Sequence, residues 1–190
     1  MVKDLVKVIQ IQRHDFLNHL QVVSGLIQLG KTDRVREYIN DICLNMQLIS
    51  TINRIRIPEI VAALMIGHNL AFEQQVDVNY MLEDELDETV LSGETLGNIL
   101  VDMQKVLFAF AATISEEPSV NLVIEKLKND YICRLNVKTY SEEDNTLPAT
   151  KEILNDLLQT AKNKLGLDKG RVEITNSKGI LEIALIFQSL

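Results

Sequence analysis

An α+β chain in two parts is what the order of hydrophobic periods predicts: a helical hairpin first, then an α/β sandwich. Three observations carry that reading. Apolar residues recur at three- and four-residue steps through the first 50 residues. Pro58 then interrupts the pattern, because proline lacks a backbone donor and disfavours helix in the residue before it. Beyond it, helix-period segments alternate with short segments of strand period, the mixed order of a sheet covered on one side by helices. The expected domains are 1–57, a hairpin, and 58–190, the sandwich.

The first helix is expected over Val2 to Leu29, with a seam of Ile9, Phe16, Leu20, Val23 and Ile27 and one polar entry at Gln12. Gly30 ends it, since glycine takes the left-handed conformation at little cost. Thr32 or Asp33 is placed to cap a second helix, in which Val35, Ile39, Ile42, Met46, Ile49 and Asn53 repeat at four- and three-residue steps. So short a turn forces the two helices antiparallel. A lone hairpin buries one face of each helix, and a second stripe of Leu17, Leu26, Leu29, Leu44 and Leu48 needs another partner. Homodimerisation into a four-helix bundle is the simplest source of one.

After Pro58 the expected elements are a helix at Glu59 to Gln75, a strand at Val76 to Leu82, and a long buried helix from Gly93 to Ile114 opening near Ser92. Strands follow at Val120 to Lys126 and Tyr131 to Thr139, then a helix from about Thr150 to Leu165. The chain closes with strands at Arg171 to Thr175 and Ile180 to Phe187 around the turn Asn176-Ser177-Lys178-Gly179.

Composition narrows the function. The chain has 190 residues, 46% apolar and 24% charged, enough for real cores in one large or two small domains. A formal net charge of −8 disfavours nucleic acid, whose binding needs clustered Lys and Arg. No stretch reaches about 18 uninterrupted apolar residues. The first twenty carry Lys3, Asp4, Lys7, Arg13 and Asp15 in place of a signal peptide's apolar core, so a cytoplasmic protein without a membrane partner is expected. Cys43 and Cys133 lack metal or redox spacing and are expected to be buried small hydrophobes.

The chemistry concentrates in Arg13-His14-Asp15-Phe16-Leu17-Asn18-His19-Leu20. At about 100° per residue, His14 lies roughly 200° around the helix from Phe16 and points away from the seam. Asn18, Gln21, Gly25 and Gln28 stack along the same side, an uncharged polar surface that another protein can approach. A single exposed helical histidine is ordinarily just a solvated residue, and its neighbours are what distinguish this one. Asp15 and Arg13 read equally as site residues or as solvated surface pairs. His19 is expected at the bundle boundary and His68 in packing. The acidic run Glu83-Asp84-Glu85-Leu86-Asp87-Glu88 is expected to be a solvated loop.

The segment Arg13 to Gln21, with a helix ending at Gly30, resembles the phosphoacceptor segment of the sporulation initiation phosphotransferase B family. It is also similar to that of the related citrate/malate-type sensor histidine kinases of bacteria. The resemblance is strongest over residues 10 to 57. Pro58-Glu59-Ile60-Val61-Ala62-Ala63-Leu64-Met65-Ile66-Gly67 is similar to the segment by which those kinases enter their ATPase domain. Leu96-Gly97-Asn98-Ile99-Leu100-Val101-Asp102-Met103 resembles the start of their asparagine-bearing helix, but Asp102 and Met103 stand where an Asn-Ala pair would fall. An aspartate is still able to ligate Mg²⁺. None of the eight glycines forms a DxGxG or GxGxxG phosphate cradle. Gly166-Leu167-Asp168-Lys169-Gly170 reads either as a remnant of one or as a helix stop and a turn.

A kinase-like scaffold without nucleotide boxes fits the phosphotransferase better than the kinases. The resemblance implies a homodimer that uses no ATP and carries phosphate between aspartates of two response-regulator receiver domains through a bundle histidine, here His14. Asp15 would accept a hydrogen bond from the other imidazole nitrogen, Arg13 would steady a phosphoryl oxygen, and Asn18 and Gln21 would contact the receiver. No tightly bound cofactor is expected, and the receiver would bring Mg²⁺. Two other readings stay open: a divergent histidine autokinase, on Asn98 and Asp102, and a non-enzymatic dimeric regulator that docks on response regulators. Sporulation as the process rests on the resemblance alone.

Overall fold

The computed structural model describes residues 2–52, 54–82, 86, 88–139, 148–165 and 169–189, with the backbone course alone for 2–12, 14, 15, 44, 45, 47–49, 51 and 148–151. The described residues are α+β, with five helices and a mixed five-stranded sheet among them. It divides into two compact units, Met1–Leu48 and Ile49–Leu190.

In the first unit, α1 (Val2–Gln28) and α2 (Thr32–Ile52) are joined by a turn whose geometry follows from one residue. Gly30 takes φ +68°. That lets the Lys31 N–H reach the Leu26 carbonyl at 3.0 Å and the Gly30 N–H reach that of Ile27 at 2.9 Å, so two carbonyls left over at the helix end are satisfied. The second helix begins a residue earlier than a Thr32 or Asp33 cap implies, with the Val35 N–H bonded to the Lys31 carbonyl at 3.1 Å. Asp33 lies in the first turn, where the helix dipole favours a carboxylate.

Two expectations need correction here. Phe16, Leu20 and Ile27, read as the inner seam, are 56%, 49% and 61% exposed in the single chain. The inward-facing positions of α1 are instead His19, Val23 and Leu26, each half-buried, and Val35 of α2 is buried. A helix touching one neighbour covers a narrow sector, and this sector sits some tens of degrees from the most apolar stripe. Leu17 and Leu29, of the second stripe expected to need another partner, are exposed in the single chain, whereas Leu26 of that stripe is half-buried. Cys43, expected inside, is exposed for the same reason. The side chains of Ile9, Leu44, Leu48 and Ile49, and Asn53 altogether, lie outside the described residues.

The second unit is built around α3 (Pro58–Glu73), β1 (Asp77–Leu82), α4 (Gly93–Ile114), β2 (Ser119–Leu127), β3 (Asp130–Lys138), α5 (Pro148–Leu165), β4 (Gly170–Ser177) and β5 (Ile180–Gln188). Pro58 occupies the first turn of α3, where its missing N–H costs nothing. Ser92 caps α4 by accepting from the Thr95 N–H at 3.2 Å. Sheet order is β1-β2-β3-β5-β4; β1 runs parallel to β2 and the other pairs are antiparallel. The β4–β5 turn sets Lys178 and Gly179 both at positive φ, 52° and 72°, the backbone of a tight hairpin that matches strand twist.

Alternate strand residues build the core. Leu122, Ile124, Cys133, Leu135, Ile183 and Leu185 are at most 1% exposed and pair across β2, β3 and β5. Leu100, Met103, Leu107 and Phe108 of α4 are equally buried. By length and composition α4 would suffice to cross a membrane, but it is the core helix of this unit. The other sheet face is polar along much of its length: Arg134 pairs with Glu125 and with Glu182, and the Asn121 amide donates to Asn136 at 3.0 Å. A small cluster of Ile132, Ala184 and Ile186 lies among them.

Candidate functional site

The stripe singled out in the sequence lies on α1. Arg13, Asn18, Gln21 and Gln28 are exposed, and nothing lies within 4 Å of where a Gly25 side chain would start. His14 and Asp15 are helical in backbone; their side chains lie outside the described residues. On helical geometry the His14 position shares one side of α1 with Asn18, Gln21 and Gly25. Asn18 and Gln21 on that side are exposed in the single chain, as is Arg13, about 100° around the helix from the His14 position.

His19 faces the other helix. Its Nδ1 is 2.9 Å from the Tyr38 hydroxyl of α2, with ring centroids 5.9 Å apart and the planes tilted at 54°. Sequence reasoning placed His19 at the boundary and missed Tyr38. The signal was present, since Val35, Tyr38 and Ile42 stand at three- and four-residue steps on α2.

In the second unit, the positions that resemble a nucleotide site differ in environment: Gly97 and Gly170 are closely packed, while Asn98 and Asp102 are exposed or partly so. The carboxylate of Asp102, which the sequence leaves open as a Mg²⁺ ligand, is 3.4 Å from the Lys164 ammonium of α5 in a partly exposed ion pair. Gly97 lies against the backbone of Glu59, where an added Cβ would come within 2.8 Å of its carbonyl oxygen. Gly170 pairs with Phe187 at the start of β4, and an added Cβ there would meet Leu91 and the Ile186 carbonyl at 2.9 and 3.0 Å. Asn98 is exposed. Residues 166–168 lie outside the described residues, as do Glu83, Asp84, Glu85 and Asp87 of the acidic run; within that run, Leu86 is fully buried.

Two further groups were weighed in the sequence. His68 of α3 packs edge-on against Tyr80 of β1 at 6.2 Å, and burial lowers its pKa below the ordinary imidazole value. This is the packing role expected of it. Among the described residues, no three His, Cys, Asp or Glu side chains gather as a metal site would require.

Residues 1–55 match the family described as the SpoOB-type sensor kinase, alpha-helical domain. No curated protein matches. Similar solved structures include the histidine kinase AdeS of Acinetobacter baumannii, at a TM-score of 0.45 and 10% identity, covering 93% of this chain and 98% of that one. The catalytic domain of the histidine kinase ThkA gives 0.48 and 8%, over 70% and 90% of the two chains. The histidine kinase domain of the blue-light activated kinase EL346 of Erythrobacter litoralis gives 0.48 and 13%, over 69% and 61%.

Proposed function

We propose that this protein is a histidine phosphotransferase of a bacterial two-component phosphorelay. His14 takes a phosphoryl group from the aspartate of one receiver domain and passes it to another. The observation that carries the reading is the match of residues 1–55 to a SpoOB-type helical domain, over the helix on which Arg13, Asn18 and Gln21 are exposed.

The chemistry asks little else of the chain. A neutral imidazole offers an unprotonated nitrogen at pH 7, since its ordinary pKa is about 6.5. It can attack phosphorus while the aspartate carboxylate leaves with the P–O bonding pair. Phosphoryl transfer then depends on in-line positioning and on charge neutralisation of the equatorial oxygens. In this reading the receiver supplies Mg²⁺, Arg13 steadies an oxygen, Asp15 holds the imidazole tautomer, and Asn18 and Gln21 meet the receiver surface. Two copies would pair through the exposed apolar residues of α1 and α2 in a cytoplasmic homodimer. In this reading ATP has no part.

The test is incubation with receiver domains already phosphorylated by a small phosphodonor, followed by intact mass and acid lability of any acquired phosphate. Wild type should gain an acid-labile phosphate that His14→Ala does not. Label on His14→Ala would refute the assignment of the acceptor. The matched family is named for sensor kinases, which keeps a histidine autokinase as the second reading; label from Mg²⁺-ATP without any receiver would favour it. Receiver binding with no transfer in either direction would favour a docking regulator.

A further inference from the structure

Resting on the phosphotransferase reading, we propose that the His19–Tyr38 pair is a positioning clamp for the phosphoacceptor: it fixes the rotation of α1 against α2, and with it the direction in which His14 meets the incoming phosphoryl group.

The geometry sets this pair apart from its surroundings. His19 and Tyr38 are half-buried, whereas their chain neighbours Asn18, Leu20, Glu37 and Ile39 are all exposed. The bond crosses from one helix to the other with Nδ1 and the hydroxyl 2.9 Å apart. Val23 and Leu26 of α1 are half-buried and Val35 of α2 is buried, and apolar burial is non-directional. A directed polar contact at such a position specifies register and orientation.

Rotation at His19 is rotation at His14, because α1 is one continuous helix over Val2–Gln28. The two positions are five residues apart, about 7.5 Å along the axis. A turn of ~20° would carry an atom ~6 Å from that axis through about 2 Å. In-line transfer is sensitive on this scale, since misplacement by about 1 Å can cost on the order of a hundredfold in rate.

The clamp does not depend on which tautomer His19 adopts. A tyrosine hydroxyl both donates and accepts. It can donate to Nδ1 when the imidazole carries its proton on Nε2, and it can accept from Nδ1–H when that nitrogen is protonated. His19 therefore acts through orientation.

The experiment is single-turnover transfer from a phosphorylated receiver, at several receiver concentrations, to wild type, Tyr38→Phe, His19→Leu and His19→Asn, with helicity and oligomeric state matched. Tyr38→Phe keeps the ring and removes the bond, and the Asn amide places a polar atom where Nδ1 stood. Tyr38→Phe and His19→Leu should lower the maximal rate roughly tenfold at an unchanged half-saturating concentration. His19→Asn should recover most of that loss. A wild-type maximal rate in Tyr38→Phe, a change confined to the half-saturating concentration, or a His19→Asn as slow as His19→Leu would each overturn the clamp. An unlabelled wild type would instead refute the phosphotransferase reading and the clamp with it, so the two failures are distinct.

Discussion

Cys133 and Cys43 show how one residue type divides between two environments. Cys133 is wholly buried on the inner face of β3, and burial pushes its thiol up to about 12 from an ordinary 9.0. The folded state therefore keeps a proton that the unfolded chain sheds. The stabilisation is complete below pH 9 and is lost as pH rises from 9 towards 12, at about 1.4 kcal/mol per pH unit. Denaturant titrations at successive pH values should show this alkaline decline, and it should be shallower in Cys133→Ala, whose stability is lower throughout because of the cavity left behind. A thiol reagent should modify the native protein once, at the exposed Cys43, and twice after denaturation. Rapid native modification of both thiols would contradict the burial of Cys133.

At the scale of elements, the contact between α3 and α4 depends on the absence of one side chain. Gly67 is buried on α3, and a Cβ there would fall onto the carboxamide of Gln104, which is fully buried on α4. The Gln104 amide donates to the Ala63 carbonyl at 3.0 Å and to the Leu100 carbonyl at 3.1 Å, so a buried polar group ties the two helices. Gly67→Ala should cost roughly 1–3 kcal/mol through overpacking, measured by chemical denaturation. In a Gln104→Ala background the same change should cost distinctly less, because the obstructing group is gone. Equal costs in both backgrounds would show that the obstruction is elsewhere. Little of this contact was legible in the sequence. Periodicity located all ten elements, and Ser92, Gly30 and the Asn176–Gly179 turn marked their ends through local chemistry that acts within four residues. Gln104, by contrast, stands inside an apolar helical run, and only the partner helix explains it. Tyr38 was hidden in the same way, as one more residue of a helical pattern. The seam of α1 was misassigned because the face that α2 covers lies some tens of degrees from the most apolar stripe, and which face that is depends on how the two helices meet.

For the whole molecule, the misassigned seam has a consequence. Phe16, Leu20 and Ile27 on α1, with Ile39 and Met46 on α2, are 45–61% exposed in the single chain, an apolar surface of the kind that marks an interaction site. Completing the burial of each such side chain is worth up to about 1.5–3 kcal/mol, so several together can offset the entropy lost when two copies associate. The homodimer proposed above would cover this surface and leave the His14 strip open, because that strip lies on the far side of α1. Light scattering should then give a mass twice 21.5 kDa for wild type. Leu20→Asp with Ile27→Asp should give the monomer, since each introduced carboxylate would otherwise be desolvated in the interface. Protection of Cys133 from thiol reagent reads the second unit independently and should be unchanged in that variant. A wild type already monomeric at high concentration would sink the homodimer. A double-aspartate variant still of dimeric mass would place the interface on another surface.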